Sequence, residues 1–140
     1  MMNHDNYPKG HTQEWLGKVK IIAIVGASPN AARPSFGVME LLISRGYDVT
    51  PVNPGQAGKE ILGRTVAAAL AELPGPIDMI DVFRASEAIP GLADEILRLP
   101  WKPKLVWLQL GIRNDAAAAK LEAAGISVIM DRCPAIELGH

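Results

Sequence analysis

The sequence predicts an α/β fold: a doubly wound parallel sheet of about five strands in a single domain. Three observations predict it. Short, β-branched apolar runs recur at 20–25, 47–52, 77–83, 104–110 and 126–131. Segments of helical spacing separate them, and no hairpin-type turn joins one run to the next. The runs are apolar at nearly every position, the pattern of strands covered on both faces. The chain has 140 residues, 49% hydrophobic and 21% charged, with a formal net charge of −1; this fits one core-bearing domain and excludes disorder as the dominant state.

Taken in order, residues 1–10 are polar and read as a loose, flexible tail, with the domain proper spanning 11–140. They lack the apolar stretch of a signal peptide. Residues 12–18 suggest a short helix with Trp15 and Leu16 on its apolar face. The first strand ends at Gly26, and a Ser-, Pro- and Asn-rich loop follows. A helix begins at Ser35, carries Val38, Leu41 and Leu42 at helical spacing, and stops at Gly46, where a C-terminal glycine belongs. The second strand closes on the turn Asn53-Pro54-Gly55. Residues 56–64 read as loop. Thr65 caps a short alanine-rich helix that ends before Pro74-Gly75-Pro76. The third strand precedes a helix with Ser86 and Pro90 in its first part, running to about Leu99. Pro100 and Pro103 separate it from the fourth strand, which Gly111 ends. Asn114 caps the next helix, Gly125 stops it, and the fifth strand follows. Such alternation implies right-handed crossovers and a Rossmann-like sheet with helices on both faces.

Several function classes are disfavoured at once. The near-neutral charge argues against a nucleic-acid binder held by bulk electrostatics, so an anionic ligand needs a local site. A single cysteine, Cys133, excludes an internal disulfide framework and a multi-cysteine zinc centre. The histidines, His4, His11 and His140, lie near the termini, which disfavours a His-built metal centre. No apolar run approaches the ~20 residues of a membrane helix. The expectation is a cytoplasmic protein with no nucleic-acid or membrane partner, and general frequency makes a homodimer the oligomer to expect.

Ligands of such sheets bind outside the carboxyl ends of the strands. The first end is Gly26-Ala27-Ser28, with Arg33 and Ser35 further on. Gly26 permits a sharp turn, backbone N–H groups at the helix start suit a phosphate, the two serines add hydroxyls, and Arg33 adds a fork of donors. Seen alone, the segment is equally a plain strand-to-helix connection with Ser35 as its N-cap. The dinucleotide fingerprint has Gly-x-Gly-x-x-Gly, whereas here Gly26, Ser28 and Ala31 occupy those places. The second end, Val52-Asn53-Pro54, has no carboxylate to hold a nicotinamide ribose. At the third end, Phe83 suits a base or a pantetheine chain and Arg84 a phosphate, or the pair is an aromatic at the sheet edge beside a solvated arginine. At the fourth, Leu108-Gln109-Leu110-Gly111, a polar Gln109 interrupts an apolar strand. Burying it unpartnered costs about 1–3 kcal/mol, so a ligand or a neighbouring backbone group must meet it. Trp107 reads as core. Cys133, beside Arg132, is a reactive thiol or a buried inert one; with no internal histidine to act as base, the inert reading is favoured.

Val25-Gly26-Ala27-Ser28, Pro51-Val52-Asn53-Pro54, Val82-Phe83-Arg84, Trp107-Leu108-Gln109-Leu110-Gly111-Ile112 and Asp131-Arg132-Cys133-Pro134, in this order, resemble the small stand-alone coenzyme A-binding proteins. These are similar to the coenzyme A-binding domain of the succinyl-CoA synthetase alpha subunit and of ADP-forming acyl-CoA synthetases. The resemblance spans about Trp15 to Glu137. It implies that Gly26, Ala27 and Ser28, with Arg33 and Ser35, hold the phosphate-bearing part of coenzyme A. It also implies that Val52, Asn53 and Pro54, Phe83 and Arg84, and Leu108, Gln109 and Leu110 line the rest of the groove, with Gly111 allowing close approach. Where the synthetases carry a lysine after the second-turn Pro-Gly, this chain has Gln56, with Lys59 beyond. The synthetases keep their phosphohistidine in a later domain, so their reaction is not expected here. The expectation is a non-enzymatic binder of coenzyme A or an acyl-CoA. The alternatives are a thiol-, redox- or nucleotide-dependent enzyme using Cys133, and a regulatory subunit of an acyl-CoA synthetase.

Overall fold

A computed structural model describes residues 2–139. The elements are α1 (His11–Lys18), β1 (Ile21–Val25), α2 (Pro34–Ser44), β2 (Asp48–Val52), β3 (Glu60–Ile61), β4 (Arg64–Thr65), β5 (Met79–Val82), α3 (Ile89–Leu97), β6 (Leu105–Leu108), α4 (Asp115–Ala123), β7 (Ser127–Ile129) and α5 (Pro134–Glu137). Five strands form one sheet in the order β2-β1-β5-β6-β7, every neighbouring pair parallel. The doubly wound, Rossmann-like class expected from the sequence is the observed one. From β1 the chain moves outward to β2, then crosses back over β1 to β5 and continues the other way. The reversal places the crevice of the fold between the carboxyl ends of β1 and β5.

Strand pleating divides the core in two. Ile22, Ile24, Met79, Leu105, Trp107 and Ile129 pack with residues of α1, α2 and α5. Ala23, Val25, Ile80, Val82, Val106, Leu108 and Val128 pack with α3 and α4. Successive side chains point to opposite faces and both faces are covered, which is why the strands read as unbroken apolar runs. Helix ends follow their sequence signals. After α2, Gly46 takes φ 90° and Tyr47 N–H donates to Leu42 O at 3.1 Å. Gly125 repeats the device after α4, with Ile126 N–H on Leu121 O at 3.1 Å. Asn114 caps α4 by accepting from Ala117 N–H at 2.9 Å. Among the described residues no helix is long and apolar enough to cross a membrane.

Two expectations are corrected. The alanine-rich helix from Thr65 does not form. Thr65 lies in β4, which pairs antiparallel with β3 as a small hairpin, so the loop expected at 56–64 is partly strand. Ala67 bridges to Val52, and a 3-10 turn at Leu70–Glu72 is all that remains of the helix. The edge of β2 presents backbone groups that need partners. Ala67 N–H on Pro51 O at 3.0 Å and Asn53 N–H on Ala67 O at 2.9 Å meet that need. A helix of that length is marginal alone, so edge pairing outweighs alanine's helix propensity. The segment expected to be a loose tail is also held. Tyr7 Oη accepts from Met130 N–H at 2.7 Å beyond the end of β7, and the Arg132 guanidinium lies 4.9 Å over the Tyr7 ring. His4 bonds Tyr7 Oη at 2.8 Å, and Arg113 pairs with Asp5 at 2.8 Å. One aromatic anchor at the opposite sheet edge orders a segment whose composition is that of a tail.

Candidate functional site

Register decides where the site can be. Val25 pairs with both Val52 and Val82, and Val82 with Leu108, so four strands end at one level. The loops that leave them surround one cavity of about 450 Å³. Nine of the residues singled out from the sequence line it: Gly26, Ser28, Arg33, Ser35, Asn53, Phe83, Arg84, Gln109 and Leu110. Pro34 and Ile112 complete the wall; Ile112 ends the fourth strand-end motif without having been given a role, and Pro34 was legible only as the neighbour of Ser35.

The other candidates lie elsewhere. Ala27 and Leu108 are buried in the core, one in each half. Val52 and Pro54 line a neighbouring cavity of about 260 Å³, with Val25, Ala68, Ala69, Leu92 and Arg84. Gly111 turns away from the cavity at φ 84°, its N–H held by Asp131 Oδ1 at 2.6 Å. Gly26 also has a structural reason. It sits at φ 85°, and a Cβ there would collide with the Phe83 carbonyl oxygen.

The first loop satisfies most of its own backbone. Gly26 N–H donates to Val52 O at 2.9 Å, Ser28 N–H to Ser35 Oγ at 3.1 Å, and Asn30 N–H to Ser28 Oγ at 3.1 Å. The N–H groups of Gly26 and Ser28 are therefore already engaged within the fold. Both serine hydroxyls act as acceptors inside the loop and keep an O–H to donate. Ser35 is buried in the first turn of α2 and is not its N-cap, which is Arg33 with no side-chain capping bond. The start of α2 is thus left to whatever occupies the cavity. Asn53 clamps two loops: its Nδ2 donates to Ala27 O at 2.8 Å and its Oδ1 accepts from Gly55 N–H at 2.9 Å.

Charge on the wall is one-sided. Arg33 and Arg84 line the cavity, and no acidic residue does. Among the described residues neither guanidinium has a carboxylate partner. Gln109 is 8% exposed, and its Oε1 has no hydrogen-bond partner among the described residues. The demand raised by that glutamine in the sequence is not met by the protein itself. In β5, between Ile24 and Trp107, Asp81 is fully buried with both carboxyl oxygens unpartnered, and burial pushes its carboxyl well above the usual range. Asp81 carries in the sequence the same signal as Gln109, a polar residue inside an apolar strand. Cys133 is buried and free, and the neighbouring Arg132 guanidinium is turned to Tyr7.

Fold and cavity together define an α/β protein with a cationic crevice at the switch point of a parallel sheet. The chain belongs to the CoA binding domain family, whose model matches residues 20–139. Over 135 residues it is 38% identical to the uncharacterized protein YneT of Bacillus subtilis, covering 96% of each chain. A solved structure from Thermus thermophilus, cell-free ID.343, superposes with a TM-score of 0.85 at 39% identity, covering 98% of this chain and 97% of that one. The apo form of a dinucleotide forming acetyl-coenzyme A synthetase from Ca. Korarchaeum cryptofilum, at 19% identity and a TM-score of 0.65, shares the fold over 76% of this chain and 25% of its own. The family resemblance carried by the strand-end motifs is borne out.

Proposed function

We propose that this protein binds coenzyme A or an acyl-CoA in the crevice and does no chemistry of its own. The observation that carries the reading is the pair of unpaired guanidiniums, Arg33 and Arg84, facing one acid-free cavity at an uncapped helix start. A phosphate-bearing ligand suits that wall. The adjoining cavity, with Pro54, Ala68 and Leu92 on its walls and Glu95 among its lining residues, suits the base, and it shares Arg84 with the crevice. The diphosphate then lies between Arg33 and Arg84, with the Ser28 and Ser35 hydroxyls donating. The pantetheine arm runs past Phe83 toward Gln109. The end of β2 offers Asn53 with its amide already engaged, where a nicotinamide ribose needs a carboxylate. The crevice is lined by the hydroxyls of Ser28 and Ser35 but by no His, Lys, Asp or Glu to activate them as nucleophiles, which supports a binder over an enzyme.

Calorimetry with coenzyme A tests this. The wild type gives a saturable heat, and Arg33→Ala binds roughly ten- to hundredfold more weakly, the loss of a charge-assisted contact of about 1.5–3 kcal/mol. No heat and no thermal shift at millimolar coenzyme A sinks the reading.

A further inference from the structure

The crevice does not end at Gln109. A second cavity, of about 480 Å³, opens on its far side and shares Pro34 and Gln109 with the first. Its character differs. It runs between α2 and α5, and its walls include Gly37, Val38, Leu41, Cys133 and Ala135. Glu40 and Ser44 stand at its solvent side and no cation lines it. A cationic chamber and an apolar one therefore meet at a single buried amide.

We propose that this groove is an acyl subsite, entered past Gln109, and that the protein prefers acyl thioesters with an apolar acyl group over free coenzyme A. The inference rests on the coenzyme A reading and adds the ligand class. Gln109 is more than nine-tenths buried and lines both cavities, and its Oε1 is an acceptor without a partner among the described residues. A pantetheine arm carries amide N–H groups, and one of them on Gln109 Oε1 satisfies that atom. Beyond the last amide of the arm come two methylenes, the sulfur and the acyl chain. A chain continuing past Gln109 enters the space lined by Val38, Leu41 and Ala135, where burial of methylenes drives binding.

The test is calorimetry of free, acetyl-, butyryl- and hexanoyl-coenzyme A. Affinity is expected to rise with chain length by up to fourfold per methylene, the factor that about 0.8 kcal/mol per buried CH₂ gives. Gly37→Leu is the first variant. A Cβ at Gly37 meets nothing within 4 Å, and leucine favours the helix, so the variant folds. Its side chain occupies the groove, and the ratio of hexanoyl to free coenzyme A affinity falls toward one. Leu41→Glu, which places a charge in the acyl path, does the same. An affinity flat across the wild-type series, with free coenzyme A still bound, overturns the subsite and leaves the coenzyme A reading standing. Failure of every ligand in the series overturns both. A homodimer closed over the groove gives twice the chain mass by light scattering with chain-length-independent affinity, and that also overturns the subsite.

Discussion

Asp81 is the residue whose environment is hardest to reconcile with stability alone. It pairs in register with Ile24 on one side and Trp107 on the other, inside the apolar half of the core that α1, α2 and α5 cover. Burial raises its carboxyl well above the ordinary value, so the folded protein holds a proton there that the unfolded chain releases. The sign of the linkage follows. Folding takes up a proton, so below pH ~4 the ionisation of this group adds no cost. Stability then declines as pH rises toward the folded-state value. Asp81→Asn keeps the shape and cannot ionise. In urea titrations at pH 5 and pH 8, the variant should gain on the wild type as the pH rises. The gap should widen by about 1.4 kcal/mol per pH unit until the folded carboxyl ionises. A gap that does not change with pH shows Asp81 to be partnered in solution. Gln109 is the counterpart at the site. Its mismatch was legible in the sequence as a polar residue in an apolar run, whereas Asp81, next to the Phe83-Arg84 motif, was overshadowed by its neighbours.

At the scale of elements, the parallel strands and the caps were legible because their signals are local. Apolar runs, Gly46, Gly125 and Asn114 each dictate a conformation within a few residues. What sequence reading missed lies at the two edges of the sheet, where distant backbone decides. Alanines at 67–69 are good helix formers, yet Ala67 exchanges bonds with Pro51 and Asn53 along β2. At the other edge, Tyr7 meets Met130 N–H across a separation of 123 residues, which no local pattern encodes. The arm should therefore contribute to stability. Tyr7→Phe removes the acceptor and leaves a part-buried N–H without its partner, a loss of about 1–3 kcal/mol. Chemical denaturation measures it. An unchanged midpoint means that the arm is not docked in solution. Coenzyme A affinity should stay within about twofold, because neither Tyr7 nor its partner Met130 lines the crevice.

The whole molecule poses an electrostatic question. Its net charge is −1, so overall charge cannot draw in a polyanion. What the fold supplies is segregation. Flush strand ends gather Arg33 from the first loop and Arg84 from the third on one wall, while acids stay off it. Both guanidiniums are exposed, so salt screens them over about 10 Å at 0.1 M. Binding of coenzyme A should therefore weaken steadily as salt rises from about 0.05 to 0.5 M, where the screening length shortens to a few ångströms. Arg33→Ala should flatten that slope as well as lower the affinity, since one of the two screened contacts is gone. The increment from acetyl- to hexanoyl-coenzyme A should not weaken with salt, because burial of methylenes involves no charge. Calorimetry at three salt concentrations separates these effects. A slope unchanged by Arg33→Ala would remove that arginine from the phosphate contact and leave the anion to Arg84 and the start of α2.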